Sequence, residues 1–159
     1  IAEIARSLGG AWNEGLPVIA YNACFDLTVL DREMRRHGFA PLTPGAVVDP
    51  LVIDRQVDRY RRGKRTLEAA CARYDARLDG AHDAGADAIA AARVAWRLAK
   101  RYPDIAGMTL DELHRAQVEW KREQSDSLRE YWREIGDPRA GEVDGSWPVV
   151  PYAGVGVPA

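Results

Sequence analysis

The stretch VIAYNACFDLTVLDREM, residues 18–34, decides the fold because it changes from a strand pattern to a helix pattern within a few residues. The short apolar run at 18–21 predicts a buried strand. From about Ala23 the apolar residues recur at helical spacing, which predicts a helix that ends near Arg36. An acidic residue, Asp26, stands in the first turn of this helix.

A second unit of the same kind follows. Residues 46–49 predict another short strand that ends in Asp49, and the proline after it is suited to the first turn of a helix. Further helices are predicted over 51–60, from Thr66, and over an alanine-rich segment to about Arg101. The order strand–helix–strand–helix predicts an α/β fold. Two strands are too few for its sheet, so we expect further strands upstream.

The C-terminal third is predicted to be one long helix and a tail. Residues 109–112 (TLDE) form a capping box, which opens a helix that reaches about Ile135. His114 is expected to be an ordinary surface residue of this helix. After Gly136 the chain is rich in Pro and Gly and predicts an irregular tail. The helix carries a stripe of large apolar residues: Leu110, Leu113, Trp120, Leu128, Tyr131 and Ile135.

The composition is that of an ordinary globular domain. The 159 residues carry a net charge of -2 with 29% charged residues, which excludes a protein that coats nucleic acid non-specifically. The two cysteines do not make a disulfide framework and indicate a reducing, cytoplasmic setting. No apolar stretch approaches the ~18 residues that a membrane span needs, so we expect no membrane partner.

Three acids and one histidine could carry chemistry. Asp26 and Asp49 lie where a strand meets a helix, and Asp87 lies one turn into the alanine-rich helix, five residues after His82. Carboxylates gathered at such points can bind a hard divalent cation, and two such ions can promote hydrolysis of a phosphodiester. A histidine beside them can take the proton from the attacking water.

Two motifs resemble those of the DEDDh 3′–5′ exonucleases, a family that includes the proofreading epsilon subunit of DNA polymerase III. Residues 22–26 (NACFD) resemble the second motif, and residues 82–88 (HDAGADA) resemble the third. The segments 47–51 and 64–67 resemble the stretches that link them. The resemblance covers roughly residues 1–101. It implies a ribonuclease H-like fold, with a mixed sheet flanked by helices, to which this chain adds an extra C-terminal helix.

The resemblance also implies roles for single residues. Asp26 would be a metal-site carboxylate that acts through a bound water, and Asp87 would bind metal directly. His82 would be the general base. Asn22 and Phe25 would hold the 3′-terminal nucleotide. The implied cofactor is a pair of Mg²⁺ or Mn²⁺ ions.

One part of the family pattern is missing from the chain. The family's first motif is an Asp-x-Glu pair on the opening strand of the sheet, and no such strand precedes Val18. The chain opens in mid-helix character without an initiator Met. We therefore expect a fragment that has lost upstream residues and that, alone, binds metal poorly and has little or no activity.

The implied activity is removal of nucleotides from single-stranded 3′ ends of DNA, or alternatively of RNA, with a DNA polymerase or another replication or repair protein as partner. The expected organisation is an N-terminally incomplete exonuclease domain over 1–103, a helical extension over 104–136 and a tail over 137–159. Two other functions stay open. One is an exonuclease-like scaffold without catalysis, and the other is an HD-type metal phosphohydrolase built on His82 and Asp83.

Each candidate residue also has a structural interpretation. Asp26 could simply favour a helix start, and Asn22 could be a turn former. Asp49 could hydrogen-bond the start of the next helix instead of serving catalysis, and Asp83 is best explained as an N-cap. The basic run over 55–65 could either follow a phosphate backbone or be solvated charge.

Overall fold

A two-stranded parallel sheet lies at the centre of a mostly helical α/β structure. The computed structural model describes residues 1–80 and 83–153. Its elements in chain order are α1 (Ala2–Asn13), β1 (Val18–Ile19), α2 (Ala23–Arg36), β2 (Val47–Val48), α3 (Pro50–Val57), α4 (Leu67–Tyr74), α5 (Ala84–Arg101), α6 (Pro103–Ala106), α7 (Leu110–Glu134) and a 3₁₀-helix (Pro138–Glu142).

The two strands are shorter than predicted. Val18 lies opposite Val47 and Ile19 opposite Val48, although the Ala20 N–H still donates to the Val48 carbonyl at 3.2 Å. Pairing stops there because a helix begins within a few residues after each strand. Among the described residues, the other edge of β1 has no strand partner.

The N-terminal helix is attached to the loop before β2. The indole N–H of Trp12 donates to the Ala46 carbonyl at 3.0 Å. A Cβ added at Gly45 would lie 2.6 Å from the Trp12 ring, so only glycine lets the indole approach this closely. Trp12 thus anchors α1 to the loop before β2, and Leu8 of the same helix packs with it against the core.

The core face of α5 is made of small residues. Ala90, Val94 and Leu98 are fully buried in a cluster that also contains residues of α3 and α4. The larger Ile89 and Trp96 are 54% and 56% exposed. Small side chains let α5 approach its neighbours closely, and this places the large residues on the outer face.

The long helix α7 covers the edge of β2 with polar side chains. The Val47 N–H donates to His114 Nδ1 at 3.1 Å, and Gln117 Nε2 donates to the Val47 carbonyl at 3.0 Å. Gln117 Oε1 in turn accepts from the Asp49 N–H at 2.7 Å. The prediction that His114 is an ordinary surface residue is therefore wrong. Burial lowers the pKa of His114, which keeps Nδ1 available as an acceptor near neutral pH.

The predicted apolar stripe of α7 is only partly its buried face. The fully buried residues are Leu113, Gln117 and Ser125. Four stripe residues are instead exposed: Leu110, Leu128, Tyr131 and Ile135. The capping box is confirmed, since Thr109 and Glu112 exchange hydrogen bonds at the helix start. The helix is therefore docked as much by hydrogen bonds as by apolar contact.

The segment after α7 folds back onto α7 and α2. Trp147 is buried and packs beside the His114 ring, with centroids 4.9 Å apart. The Val150 N–H donates to Thr28 Oγ1, and the Ser125 hydroxyl donates to the Asp144 carbonyl. The division at 103 and 136 stays a prediction. In the described part of the chain, no helix is both long and apolar enough to cross a membrane.

Gln117→Leu should destabilise the fold. The change leaves the Asp49 N–H and the Val47 carbonyl without their buried partner, at a cost of about 2–4 kcal/mol. Urea denaturation followed by circular dichroism measures this free energy of unfolding. Gln56→Leu is the matched control, because Gln56 is half-buried and makes no side-chain hydrogen bond to a described residue. Equal stability of the two variants would contradict the edge-covering role.

Candidate nucleotide and metal site at the ends of the strands

Asp49 holds together the two helix starts at the ends of the strands. Its carboxylate accepts from the backbone N–H groups of Asn22 at 2.9 Å and Ala23 at 3.0 Å, where α2 begins. It also accepts from the Leu51 N–H at 3.0 Å in the first turn of α3. One side chain therefore supplies the N-terminal caps of two helices. The interpretation of Asp49 as a partner of the next helix start is confirmed.

The environment of Asp49 fits a structural role. The residue is 1% exposed, and burial raises the pKa of its carboxyl, while the N–H donors of Asn22 and Leu51 oppose that shift. A carboxylate enclosed in this way has few lone pairs left to offer a ligand. We therefore place Asp49 behind the site rather than in it.

Asn22 forms the turn between β1 and α2 and keeps its side chain free. Its φ of 66° and ψ of 43° lie in the left-handed region, which asparagine tolerates better than most residues. Its amide makes no capping hydrogen bond, because Asp49 takes that task from the neighbouring strand. The turn-forming role is confirmed. The exposed amide remains available for a ligand.

Phe25 and Asp26 lie beside Asn22 in the first turn of α2. Phe25 is 65% exposed, so the core does not need its ring. Asp26 is also exposed, although partial burial raises the pKa of its carboxyl and its own backbone N–H opposes that shift. The three residues of the NACFD motif thus present an amide, an aromatic ring and a carboxylate to solvent.

The structure describes residues 83–88 of the HDAGADA motif. Asp83 is the N-cap of α5, as predicted, with its carboxylate accepting from the Ala86 N–H at 2.9 Å. Asp87 is half-buried one turn later. Its helix contacts β1, the strand that leads into Asn22. His82 lies outside the described residues.

The predicted site residues therefore fall on two helix starts. Asn22, Phe25 and Asp26 share the first turn of α2, whereas Asp87 lies in the first turn of α5. Neither Asp26 nor Asp87 has an ion pair with a described residue. This contrasts with Asp31 and Asp54, whose carboxylates are neutralised by arginines. Two carboxylates without a counter-charge suit a hard cation, which takes oxygen ligands.

The described residues do not complete a metal site. Within 1–80 and 83–153, no three His, Cys, Asp or Glu side chains are grouped so that they could hold a metal ion. Two carboxylate donors fit the chemistry of Mg²⁺ or Mn²⁺, but further oxygen ligands would be needed to bind two ions.

Sequence reasoning missed a buried charge cluster next to this site. Asp54 is fully buried and accepts from Arg61 and Arg65, each at 2.7 Å, and from the Tyr74 hydroxyl at 2.5 Å. The solvated-charge interpretation is therefore wrong for these two arginines of the basic run. The available signal was an acid inside the apolar run LVID, since a buried acid requires partners.

The charge cluster also connects the basic loop to the candidate site. The Tyr21 hydroxyl donates to the Arg65 carbonyl at 2.9 Å. Burial, then the charges of Asp54 and Asp49, raise the pKa of Tyr21, so the phenol stays a donor at neutral pH. Because Tyr21 directly precedes Asn22, the loop over 61–65 is fixed beside the turn that carries the motif.

Asp49→Asn should destabilise the protein and loosen both helix starts. The asparagine carbonyl can accept from one or two of the three N–H groups, but its NH₂ group then faces another donor, at a cost of about 2–4 kcal/mol. Thermal and urea unfolding measure the change. Asp75→Asn is the control, because Asp75 is 96% exposed in a left-handed conformation that asparagine tolerates. An Asp49→Asn variant as stable as this control would contradict the capping role.

Comparison with known proteins identifies the family of the chain. The exonuclease family RNase_T matches residues 5–95, which include β1, α2, β2, α3, α4 and the first part of α5. The chain is 30% identical over 96 residues to the DNA polymerase III PolC-type of Lacticaseibacillus paracasei, and this match covers 60% of the chain and 6% of that protein. No solved structure gives a significant match. Since the family match covers more than half of the 159 residues, the chain belongs to the RNase_T exonuclease family.

Proposed function

We propose that the chain carries the nucleotide-binding and part of the metal-binding machinery of a 3′–5′ exonuclease. The reaction is hydrolysis of the terminal phosphodiester, which releases nucleoside monophosphates from the 3′ end of DNA, with RNA as the alternative substrate. The observation that carries the proposal is the first turn of α2. Within the family match, it presents Asn22, Phe25 and Asp26 to solvent with no structural duty for their side chains.

Phe25 and Asn22 form the proposed nucleotide contact. A base or sugar can pack on the exposed Phe25 ring, as aromatic side chains do in single-strand binding sites. The Asn22 amide offers both a donor and an acceptor to a terminal sugar or base. Asp49 supports both residues from behind by fixing the backbone N–H groups at the start of α2.

Asp26 and Asp87 are the proposed metal carboxylates, Asp87 directly and Asp26 through a bound water. Their oxygen donors suit Mg²⁺ or Mn²⁺. A pair of such ions would stabilise the charge of the attacked phosphate and lower the pKa of the attacking water. The chain's own contribution is to hold the two carboxylates at helix starts, where the dipole also favours negative charge.

The remaining ligands are proposed to lie on a strand beside β1. A ribonuclease H-like sheet needs more than two strands, and the edge of β1 that faces away from β2 has no partner among the described residues. An Asp-x-Glu strand paired there would bring two carboxylates next to the start of α2. His82 is proposed as the general base, since it precedes the helix that carries Asp87 by two residues.

A polymerase is the proposed partner. The match to a DNA polymerase III PolC-type protein supports an association with replication, although the aligned segment is a small fraction of that protein. The domain division at 103 and 136 belongs to the same proposal, with 1–103 as the catalytic unit.

Asp87→Asn in the intact protein should abolish the Mg²⁺- or Mn²⁺-dependent digestion of a single strand. The change removes the charge that would bind the metal while it keeps the shape of the side chain. Denaturing gels of a 5′-labelled oligonucleotide measure the loss of nucleotides from the 3′ end. Asp75→Asn, which removes an exposed acid elsewhere, should digest at the wild-type rate. Full activity of Asp87→Asn would reject the metal assignment, whereas a wild-type protein that digests no strand would favour the scaffold alternative.

His82→Ala should lower kcat about 10²-fold or more, because a general base contributes on that scale. The effect should appear in single-turnover assays at saturating metal, with little change in substrate binding. His37→Ala is the control, since His37 is exposed at the end of α2 and near Glu33. If His82→Ala and His37→Ala gave equal rates, His82 would not be the base.

Phe25→Ala should raise KM for a single strand at least about fivefold, because a base–aromatic contact is lost. Val29→Ala provides the matched control on the same exposed side of α2, since Val29 is 47% exposed and one turn further along. Both variants should unfold at the wild-type temperature. Equal KM values would remove Phe25 from the nucleotide site.

A further inference from the structure

A basic and aromatic cleft lies between the end of α3 and the long helix α7. Its volume is about 830 Å³, and none of the nine described residues that line it is acidic. Arg55, Arg59 and Arg65 supply its positive charge, and Tyr60 and Tyr131 supply exposed rings from the α3 side and the α7 side. The family match ends at residue 95, so the α7 wall lies outside it.

The arginines of the cleft are of two kinds. Arg65 is committed to the fold, since it neutralises the buried Asp54. Arg55 and Arg59 form no ion pair or side-chain hydrogen bond with a described residue, and both line the cleft. Their charge is therefore available to a ligand. A ligand that satisfies two free guanidinium groups must itself be anionic.

The tyrosines define the ligand further. Tyr60 is 90% exposed and Tyr131 is 55% exposed, so both rings are held in water beside the free arginines. Rings next to arginines in a groove are the arrangement that binds single-stranded nucleic acid, because the bases stack while the phosphates meet the cations. An acidic protein segment would use the arginines but leaves two open aromatic faces unexplained.

The cleft is also connected to the candidate active site. Arg65 lines the cleft, and its carbonyl accepts the Tyr21 hydroxyl one residue before Asn22. A nucleic-acid strand bound in the cleft would therefore approach the first turn of α2 along the loop over 61–65. Gln124 of α7 also lines the cleft, and its Nε2 donates to the Val52 carbonyl of α3, which fixes the two walls together.

We infer that this cleft binds a single-stranded segment of nucleic acid away from its 3′ end, through phosphate contacts of Arg55 and Arg59 and base stacking on Tyr60 and Tyr131. The choice of nucleic acid as the ligand rests on the proposed function, that is, on the nuclease activity of the family. It does not require the proposed metal site, because binding needs no hydrolysis. The cleft would hold the strand while its end is processed elsewhere.

Fluorescence anisotropy tests this inference with the full chain in EDTA. The probe is a fluorescein-labelled single strand of about 20 nucleotides, used both as DNA and as RNA. Tyr60→Ala should weaken binding at least about fivefold. Arg55→Gln with Arg59→Gln should weaken it and lower the slope of log K against log salt by about 0.7 for each arginine lost.

Matched variants outside the cleft are the controls. Tyr152→Ala removes a ring that is 45% exposed elsewhere, and Arg6→Gln with Arg115→Gln removes two exposed arginines. Both should bind like the wild type. Because Tyr60 is almost fully exposed, its loss should leave the fold intact, and circular dichroism checks this.

The outcomes separate this inference from the proposed function. Asp87→Asn should keep full binding while it loses digestion. Wild-type affinity in the cleft variants overturns the inference whatever the activity result. Failure of the wild type to bind either oligonucleotide also overturns it. If the wild type binds a poly-glutamate peptide and neither oligonucleotide, the cleft is a site for acidic proteins.

Discussion

The three hydrogen bonds from backbone N–H groups to the Asp49 carboxylate are the constraint on which the rest of the structure depends. Two parallel strands that end side by side must pass into two helices, and each helix start carries unpaired N–H groups. One buried acid satisfies groups from both starts. This frees Asn22 from capping its own helix. Its side-chain amide is therefore exposed at the turn and makes no hydrogen bond to the helix start.

The same acid depends in turn on α7. Gln117 accepts from the Asp49 N–H and donates to the Val47 carbonyl, so a helix far along the chain completes the hydrogen bonding of β2. His114 Nδ1 likewise accepts a hydrogen bond from the Val47 N–H. An edge strand normally exposes such groups to pairing with another chain. Here side chains at i and i+3 of one helix cover that edge, which leaves β1 as the open edge of the described sheet.

Local patterns predicted most of the helices, and long-range contacts explain what they missed. The caps at Thr66, Asp83 and Thr109 were readable because a capping side chain and its N–H donor are three residues apart or fewer. The inward turn of His114 and the pairing of Asp54 with Arg61 and Arg65 were not readable. The first joins residues 67 positions apart, and the second needs the loop geometry that places both arginines over one carboxylate.

The candidate site shows the same limit of sequence patterns. The motif resemblance proposes Asn22, Phe25 and Asp26 as site residues, and the structure places them together, exposed, at the start of α2. Asp49 could not be assigned from sequence, because an acid at a strand end serves equally as a ligand or a cap, and only its 1% exposure and three N–H donors decide between them.

Burial divides the polar residues near the strand ends into two groups. Asp49, Asp54 and Gln117 are enclosed and fully engaged, and they fix the backbone. Residues that follow them closely in the sequence, such as Arg55 and Arg59, have no described partner. When an exposed, unpaired polar side chain binds a ligand, a backbone that is already fixed loses little further conformational entropy, and this lowers the cost of binding. The buried network would therefore support the exposed side chains of the α2 turn and of the cleft in the binding roles proposed for them.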